Sequence, residues 1–283
     1  MKTRFNISPI PAVLLSILSV QCGAAIAKGL FPGIGPIATA SLRIGLSAII
    51  LLIAFRPNIS KLSRKQWKYV SLYGLCLGAM NMVFYMAIAR IPIGLGVTLE
   101  FVGPLVVAIF GSKKLVDFLW VALAATGIVL ITPITNNGLD PIGILLALLA
   151  AAFWAAYIVL GGRISKIMSG GQAVSIGMVF ASLLIIPFVF LDGGLARLNA
   201  HLLTLGLALA LLSSAIPFTL EIRALKQLPA RTFSILMSLE PAVASITAFV
   251  FLQERLSLKE CLSVAFVVIA SAGSSLTARR AKL

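Results

Sequence analysis

Apolar residues run through this chain in ten long stretches, separated by short polar punctuation rather than by polar domains. The stretches cover about 9–28, 35–55, 69–89, 92–112, 116–133, 141–161, 172–191, 202–222, 230–251 and 258–277. Each approaches the ~20 residues that a helix needs to cross a hydrocarbon layer ~30 Å thick. The interruptions carry turn residues: Pro32-Gly33, Arg56-Pro57-Asn58, Ile91-Pro92, Asn136-Asn137-Gly138, Ser169-Gly170-Gly171 and Asp192-Gly193-Gly194. The pattern predicts an all-α integral membrane protein with ten transmembrane helices. The first apolar run, from Pro9, is longer than the apolar region of a signal peptide and reads as an uncleaved helix.

Two of the stretches share a finer pattern. Ile91-Pro92 opens the fourth and Leu228-Pro229 the ninth, and a second proline follows each at the same distance, Pro104 and Pro241. Residues 1–135 and 140–278 therefore read as two copies of a five-helix unit, followed by a basic tail at 279–283. Five is odd, so the copies have opposite orientations in the membrane. Inverted repeats of this kind place a substrate site near the midplane, between the copies.

Composition agrees with a membrane protein: 60% of the 283 residues are hydrophobic, only 11% are charged, and the mean hydropathy is +1.09. The formal charge of +15 suggests nucleic acid in a soluble protein, but here the basic residues flank the apolar stretches. With both termini on one side, seventeen basic residues fall on that side and five on the other, with Arg43 inside a stretch. The positive-inside rule then puts both termini in the cytoplasm. Cys22, Cys76 and Cys261 lie within apolar stretches, so no disulfide framework is expected. His201 is the sole histidine, and no Cys/His cluster is spaced for a metal. No cofactor is expected.

Only two of the eight acids, Glu100 and Glu240, lie deep inside an apolar stretch. A carboxylate in hydrocarbon is costly, so one that persists is a functional candidate. Glu240 precedes Pro241. A proline there removes a helical hydrogen bond and opens backbone polarity to a cavity. Glu240 can hold a substrate ammonium, a proton, or each in turn. Glu100 and Arg43 lie at matched depths, which makes an ion pair between them one reading; a guanidinium free to take a substrate carboxylate is the other. Counting ~1.5 Å per residue puts Gln21, Asn81, Trp154, Ser213, Ser214 and Glu240 near the midplane. Amides, hydroxyls, carboxylates and an arginine suit a small zwitterion. Phe84, Tyr85 and Tyr157 are candidate wall residues. Glu221, beside Arg223 near a stretch end, reads as a surface or interfacial pair. Asp117, Asp140 and Asp192 read as caps or edge residues.

Leu239-Glu240-Pro241, with Phe251-Leu252-Gln253-Glu254-Arg255-Leu256 and Arg43, resembles the signature of EamA-type carriers in the drug/metabolite transporter superfamily. Gln253 stands where that signature has glycine. Four more segments are similar to the threonine and homoserine exporters of that superfamily: Ala27–Pro32, Leu99–Leu105, Leu228–Phe233 and Leu236–Ala242. The resemblance covers nearly the whole chain. It implies ten helices in a bacterial inner membrane and amino-acid efflux of small solutes such as threonine and homoserine, by antiport with protons. An exporter of aromatic amino acids or drug-like metabolites is the alternative within carriers. A channel, receptor or membrane enzyme is the alternative outside them. An enzyme would want paired Asp at a membrane face or a His/Ser constellation, and the three Asp are scattered. No Gly-x-x-x-x-Gly-Lys-Ser/Thr loop for ATP is present.

Overall fold

The computed structural model describes residues 8–91, 93–110, 115–131, 140–237, 239, 240, 243 and four pairs between 258 and 270. Among these residues every regular element is helical. The elements are α1 (Pro9–Phe55), α2 (Arg64–Ile88), α3 (Ile93–Glu100), α4 (Val102–Phe110), α5 (Leu115–Ile131), α6 (Pro141–Ile167), α7 (Gly170–Asp192), α8 (Ala200–Ala210), α9 (Ile216–Gln227) and α10 (Ala230–Met237). Short 3-10 turns at Ile59–Lys61 and Gly194–Arg197 close two of the connections. Among the described residues five helical runs are long and apolar enough to cross a membrane: Gly29–Phe55, Arg64–Ile88, Pro141–Ile167, Gly170–Asp192 and Ala200–Gln227. Pro9–Gly23 and Phe118–Gly127 are shorter apolar helices. The bulk of the tenth expected helix and the basic tail lie outside the described residues.

The first two expected helices are joined more tightly than the sequence pattern suggests. Residues 29–34 stay helical, and Gly35 alone is non-helical, at φ 80° and ψ 168°. Glycine enters that region without a Cβ penalty, and Pro36 begins the second arm, where its missing N–H costs nothing. A straight helix would hold Ser19 and Ser47 ~42 Å apart. Instead the Ser19 hydroxyl donates to the Leu212 carbonyl at 2.6 Å, and the Ser47 hydroxyl to the Ala210 carbonyl at 2.8 Å. Both arms therefore meet the same short segment, so the chain folds back at Gly35.

Helix α2 starts at a capping box, with the Ser63 N–H donating to Gln66 Oε1 at 2.9 Å and the Gln66 N–H to Ser63 Oγ at 3.3 Å. It runs antiparallel to α6, and both ends are tied. Gln66 Nε2 donates to the Ile167 carbonyl at 2.8 Å, and Arg90 pairs with Asp140 at 2.9 Å at the other end. Asp140 also caps α6, accepting from the Ile142 N–H at 2.8 Å. The Arg90 bond, aided by those backbone donors, holds its carboxyl below the usual range.

Against α7, α2 packs through small residues. A Cβ at Gly74 would land on the Gly177 carbonyl oxygen and lie 2.7 Å from Phe180 Cβ. Such close approach is how helices associate where lipid removes the hydrophobic driving force. Gly74→Leu is expected to part α2 from α7. It should lower the melting temperature of the detergent-purified protein, by an overpacking cost of ~1–3 kcal/mol or more, with Gly74→Ala milder. An unchanged melting temperature for Gly74→Leu would show that this contact does not hold the helices. The outer faces carry apolar side chains such as Leu145, Leu183 and Phe190, as lipid contact requires.

Prolines set three breaks. Pro104 cannot donate to the Glu100 carbonyl four residues back, and α3 ends at Glu100, with a turn at Phe101. Pro241 stands four residues after Met237, and the chain turns at Leu239, whose N–H donates to the Leu236 carbonyl at 3.1 Å. In the sequence a proline directly precedes the described span of each, Pro92 before α3 and Pro229 before α10. Pro217 likewise cannot donate to the Ser213 carbonyl. The segment Leu211–Ala215 widens into a π turn, with the Ile216 N–H on the Leu211 carbonyl.

Candidate functional site

The three breaks bring polar groups into the core. Glu100 is the last residue of α3, Glu240 follows the turn after α10, and Ser213 and Ser214 sit in the π turn. The two arms of α1 add Gln21 and Arg43, α2 adds Asn81 and Tyr85, and α6 adds Trp154 and Tyr157. All ten are buried except Glu100, which is half-buried.

Gln21 Nε2 approaches Glu240 Oε1 at 3.4 Å, and Glu240 Oε2 has no hydrogen-bond partner among the described residues. Arg43 Nη1 donates to the Tyr85 hydroxyl at 3.1 Å, and the guanidinium carbon lies 5.2 Å from the Tyr85 ring centre. Its Nε–H has no partner among the described residues. The depth-matched ion pair of Arg43 with Glu100 is therefore not formed there: the guanidinium turns onto Tyr85. A phenol and a π face hold a cation without quenching its charge, so Arg43 keeps capacity for an anion.

The other candidates divide between lining and packing. Ser213 Oγ reaches the Val20 carbonyl at 3.5 Å, whereas Ser214 Oγ is buried with no partner among the described residues. Asn81 donates back to the Leu77 carbonyl of its own helix at 2.8 Å. Trp154 stands edge-on to Phe101, with ring centres 5.8 Å apart, so the turn after Glu100 is braced by an aromatic pair. Tyr85 is similarly braced by Phe31 at 5.3 Å.

Tyr157 lies in a different cluster. Its hydroxyl donates to Glu221 Oε2 at 2.7 Å, and its ring stacks on Tyr73 at 5.1 Å and meets Phe218 at 5.8 Å. Glu221 is 3% exposed, which corrects its reading as a surface pair with Arg223; Arg223 itself is exposed. The sequence does carry a signal for this. Ser214, Pro217, Phe218, Glu221 and Leu225 recur at helical spacing, and all five are buried. Among the described residues no group of His, Cys, Asp and Glu is placed to hold a metal ion.

Residues 141–276 match the EamA-like transporter family. The threonine/homoserine exporter RhtA of Escherichia coli (strain K12) is 41% identical over 274 residues, covering 96% of this chain and 92% of that protein. The threonine/homoserine exporter RhtA of Salmonella typhimurium (strain LT2) shows the same identity and coverage. A solved crystal structure superposes with a TM-score of 0.70 at 18% identity, over 95% of this chain and 99% of that one, which shows a shared fold.

Proposed function

The chain belongs to the EamA-like transporter family, and from that premise we propose that it exports threonine and homoserine across a bacterial inner membrane in exchange for protons. The observation that carries this reading is the pairing of two orphan groups in one buried region. Arg43 Nε–H is a donor without a protein acceptor, and Glu240 Oε2 an acceptor without a protein donor, among the described residues. An α-amino acid supplies the missing partner of each, its carboxylate to Arg43 and its ammonium to Glu240. Leaving such groups buried and unpaired is costly, so a ligand that satisfies both binds with a large differential.

Ser214 Oγ, orphaned in the π turn, is a partner for a side-chain hydroxyl. Gln21 orients Glu240, Tyr85 orients Arg43, and Asn81, Ser213 and Trp154 complete the walls. Glu100 tunes the charge balance between Arg43 and Glu240. Antiport follows if Glu240 holds either the substrate ammonium or a proton, because one carboxylate cannot hold both.

The full chain is read as ten transmembrane helices in two inverted five-helix repeats, 1–135 and 140–278. The matching proline settings of α3 and α10, with a turn at Phe101 and at Leu239, support the duplication. Both termini are assigned to the cytoplasm on the basic-residue bias.

Counterflow in proteoliposomes tests the substrate. Threonine and homoserine are expected to exchange with labelled threonine, and a protonophore should remove gradient-driven accumulation without stopping exchange. Exchange of aromatic amino acids or cationic dyes, with none for threonine or homoserine, would move the assignment to a broad exporter. Chemical conversion of the solute would move it to an enzyme.

A further inference from the structure

The Glu221 cluster has no part in the zwitterion site, yet it has the features of a functional group. Its carboxylate is 3% exposed, Tyr157 and Tyr73 beside it are fully buried, and Tyr157 donates to Oε2 at 2.7 Å. Among the described residues no basic side chain pairs with it. A buried carboxylate with one phenol donor and no cation is unfavourable as a bare charge. A structural role would be served at lower cost by an amide or an apolar side chain. Persistence of an acid there points to a group that gains and loses a proton.

Position adds to this. Glu221 follows Ser214 by seven residues, so it lies ~10 Å further along the same face, toward the Gln227 end of the helix. That is the side assigned to the cytoplasm. Glu240 is tied to the layer of Ser213 and Ser214: Gln21 Nε2 approaches Glu240 Oε1 at 3.4 Å, and the carbonyl of the adjacent Val20 accepts from Ser213 Oγ at 3.5 Å. Among the described residues the titratable side chains clustered with Glu221 are Tyr157 of α6 and Tyr73 of α2, with Glu240 in the layer above. Helix α7 carries none before Asp192 at its far end, and α1 none from Ile44 to Phe55.

We propose that Glu221, held by Tyr157 whose ring stacks on Tyr73, is a second proton-binding site that receives the coupling proton from Glu240 and releases it toward the cytoplasm. The step breaks one O–H bond at the Glu240 carboxyl and forms one at the Glu221 carboxylate, with water carrying the proton between the two layers, and leaves Glu240 ionised. An ionised Glu240 is then ready for a substrate ammonium while the proton waits one layer below. Tyr157 is a positioning residue: its O–H stabilises the ionised form of Glu221 and its ring stack fixes the carboxyl. The inference rests on the reading of the chain as a proton-driven exporter.

The test uses the full chain in proteoliposomes with a trapped pH dye and threonine as the probe. In the wild type a pH gradient should drive threonine accumulation, and a threonine gradient should drive proton flux. Glu221→Gln is expected to lower both coupled fluxes about tenfold or more, the scale of a lost positioned proton-transfer group. Threonine counterflow, which needs no net proton transfer, should fall less than about threefold by the same argument. Glu221→Asp should restore part of the coupling. An unchanged proton-to-threonine ratio in Glu221→Gln, or an equal fall in coupled flux and counterflow, would overturn the proposal. If Glu221→Gln does not accumulate, Tyr157→Phe decides. A larger loss of coupled flux than of counterflow supports the site, and an equal loss overturns it. Threonine transport without protons in the wild type would instead overturn the underlying antiport reading, and this inference with it.

Discussion

Glu240→Gln is expected to abolish concentrative export of threonine while the protein reaches the membrane in near-normal amount. Glutamine keeps the shape of the side chain, so the packing of the turn after α10 and the approach of Gln21 at 3.4 Å can survive. What is lost is the charge at Oε2 and the ability to bind and release a proton. Removing one partner of a buried charge pair costs ~2–5 kcal/mol. At ~1.4 kcal/mol per tenfold, that is a fall of roughly thirtyfold to more than a thousandfold in substrate binding. Export from threonine-loaded cells, normalised to the immunoblotted amount of protein, checks it. Glu240→Asp, which keeps the charge but withdraws it by one methylene, should retain partial export. Wild-type export by Glu240→Gln would remove Glu240 from both roles, ammonium partner and proton carrier.

Arg43→Ala should be comparably damaging and should also cost stability. The substitution removes the proposed carboxylate partner and strands the Tyr85 hydroxyl, which now accepts from Nη1 at 3.1 Å. A buried hydroxyl left without its partner costs ~1–3 kcal/mol. Loss of the cation from the Tyr85 face adds up to ~2 kcal/mol in a desolvated site. The melting temperature should therefore fall together with export. Two further variants separate the roles. Tyr85→Phe loses one hydrogen bond but keeps the ring under the guanidinium, so export should drop by less than about tenfold, the equivalent of ~1.4 kcal/mol. Arg43→Lys keeps a charge but not the planar Nε–H and Nη–H fork. It should approach the wild type in melting temperature and approach Arg43→Ala in export. Full export by Arg43→Lys would mean that charge alone matters there, and normal export by Arg43→Ala would exclude substrate contact.

These expectations rest on features of unequal visibility in the sequence. The proline breaks are legible from the chain alone. A proline acts on the carbonyl four residues before it, so Pro104 marks the helix end at Glu100 and Pro241 a break near Leu239, without reference to any neighbour. The membrane class is legible for a similar reason. Transfer of a side chain into hydrocarbon is close to a sum over residues, and 60% hydrophobic residues in long runs settle it. The cost of a lone carboxylate in such a run singles out Glu100 and Glu240 by the same logic.

Depth along a helix could be counted, but the direction each side chain faces could not be matched between helices. Arg43 and Glu100 lie at similar depths, yet the structure turns Arg43 onto Tyr85 of α2. Each residue rotates the side chain by about 100°, and which helix stands beside which face is set by packing of segments far apart in sequence. Glu221 shows the same limit from the other side. Counted from the stretch end it reads as interfacial, but α6 packs Tyr157 against it and buries it to 3%. The turning point at Gly35, two residues past the Pro32-Gly33 interruption, and the convergence of Gln21, Arg43 and Glu240 from distant helices were likewise decided only in the folded chain. The sequence by itself determined the solvent, the breaks and the buried acids, because those follow from each residue and its near neighbours. The partners of Arg43, Glu221 and Glu240 were decided by tertiary packing, because a partner is a matter of which faces of separate helices meet.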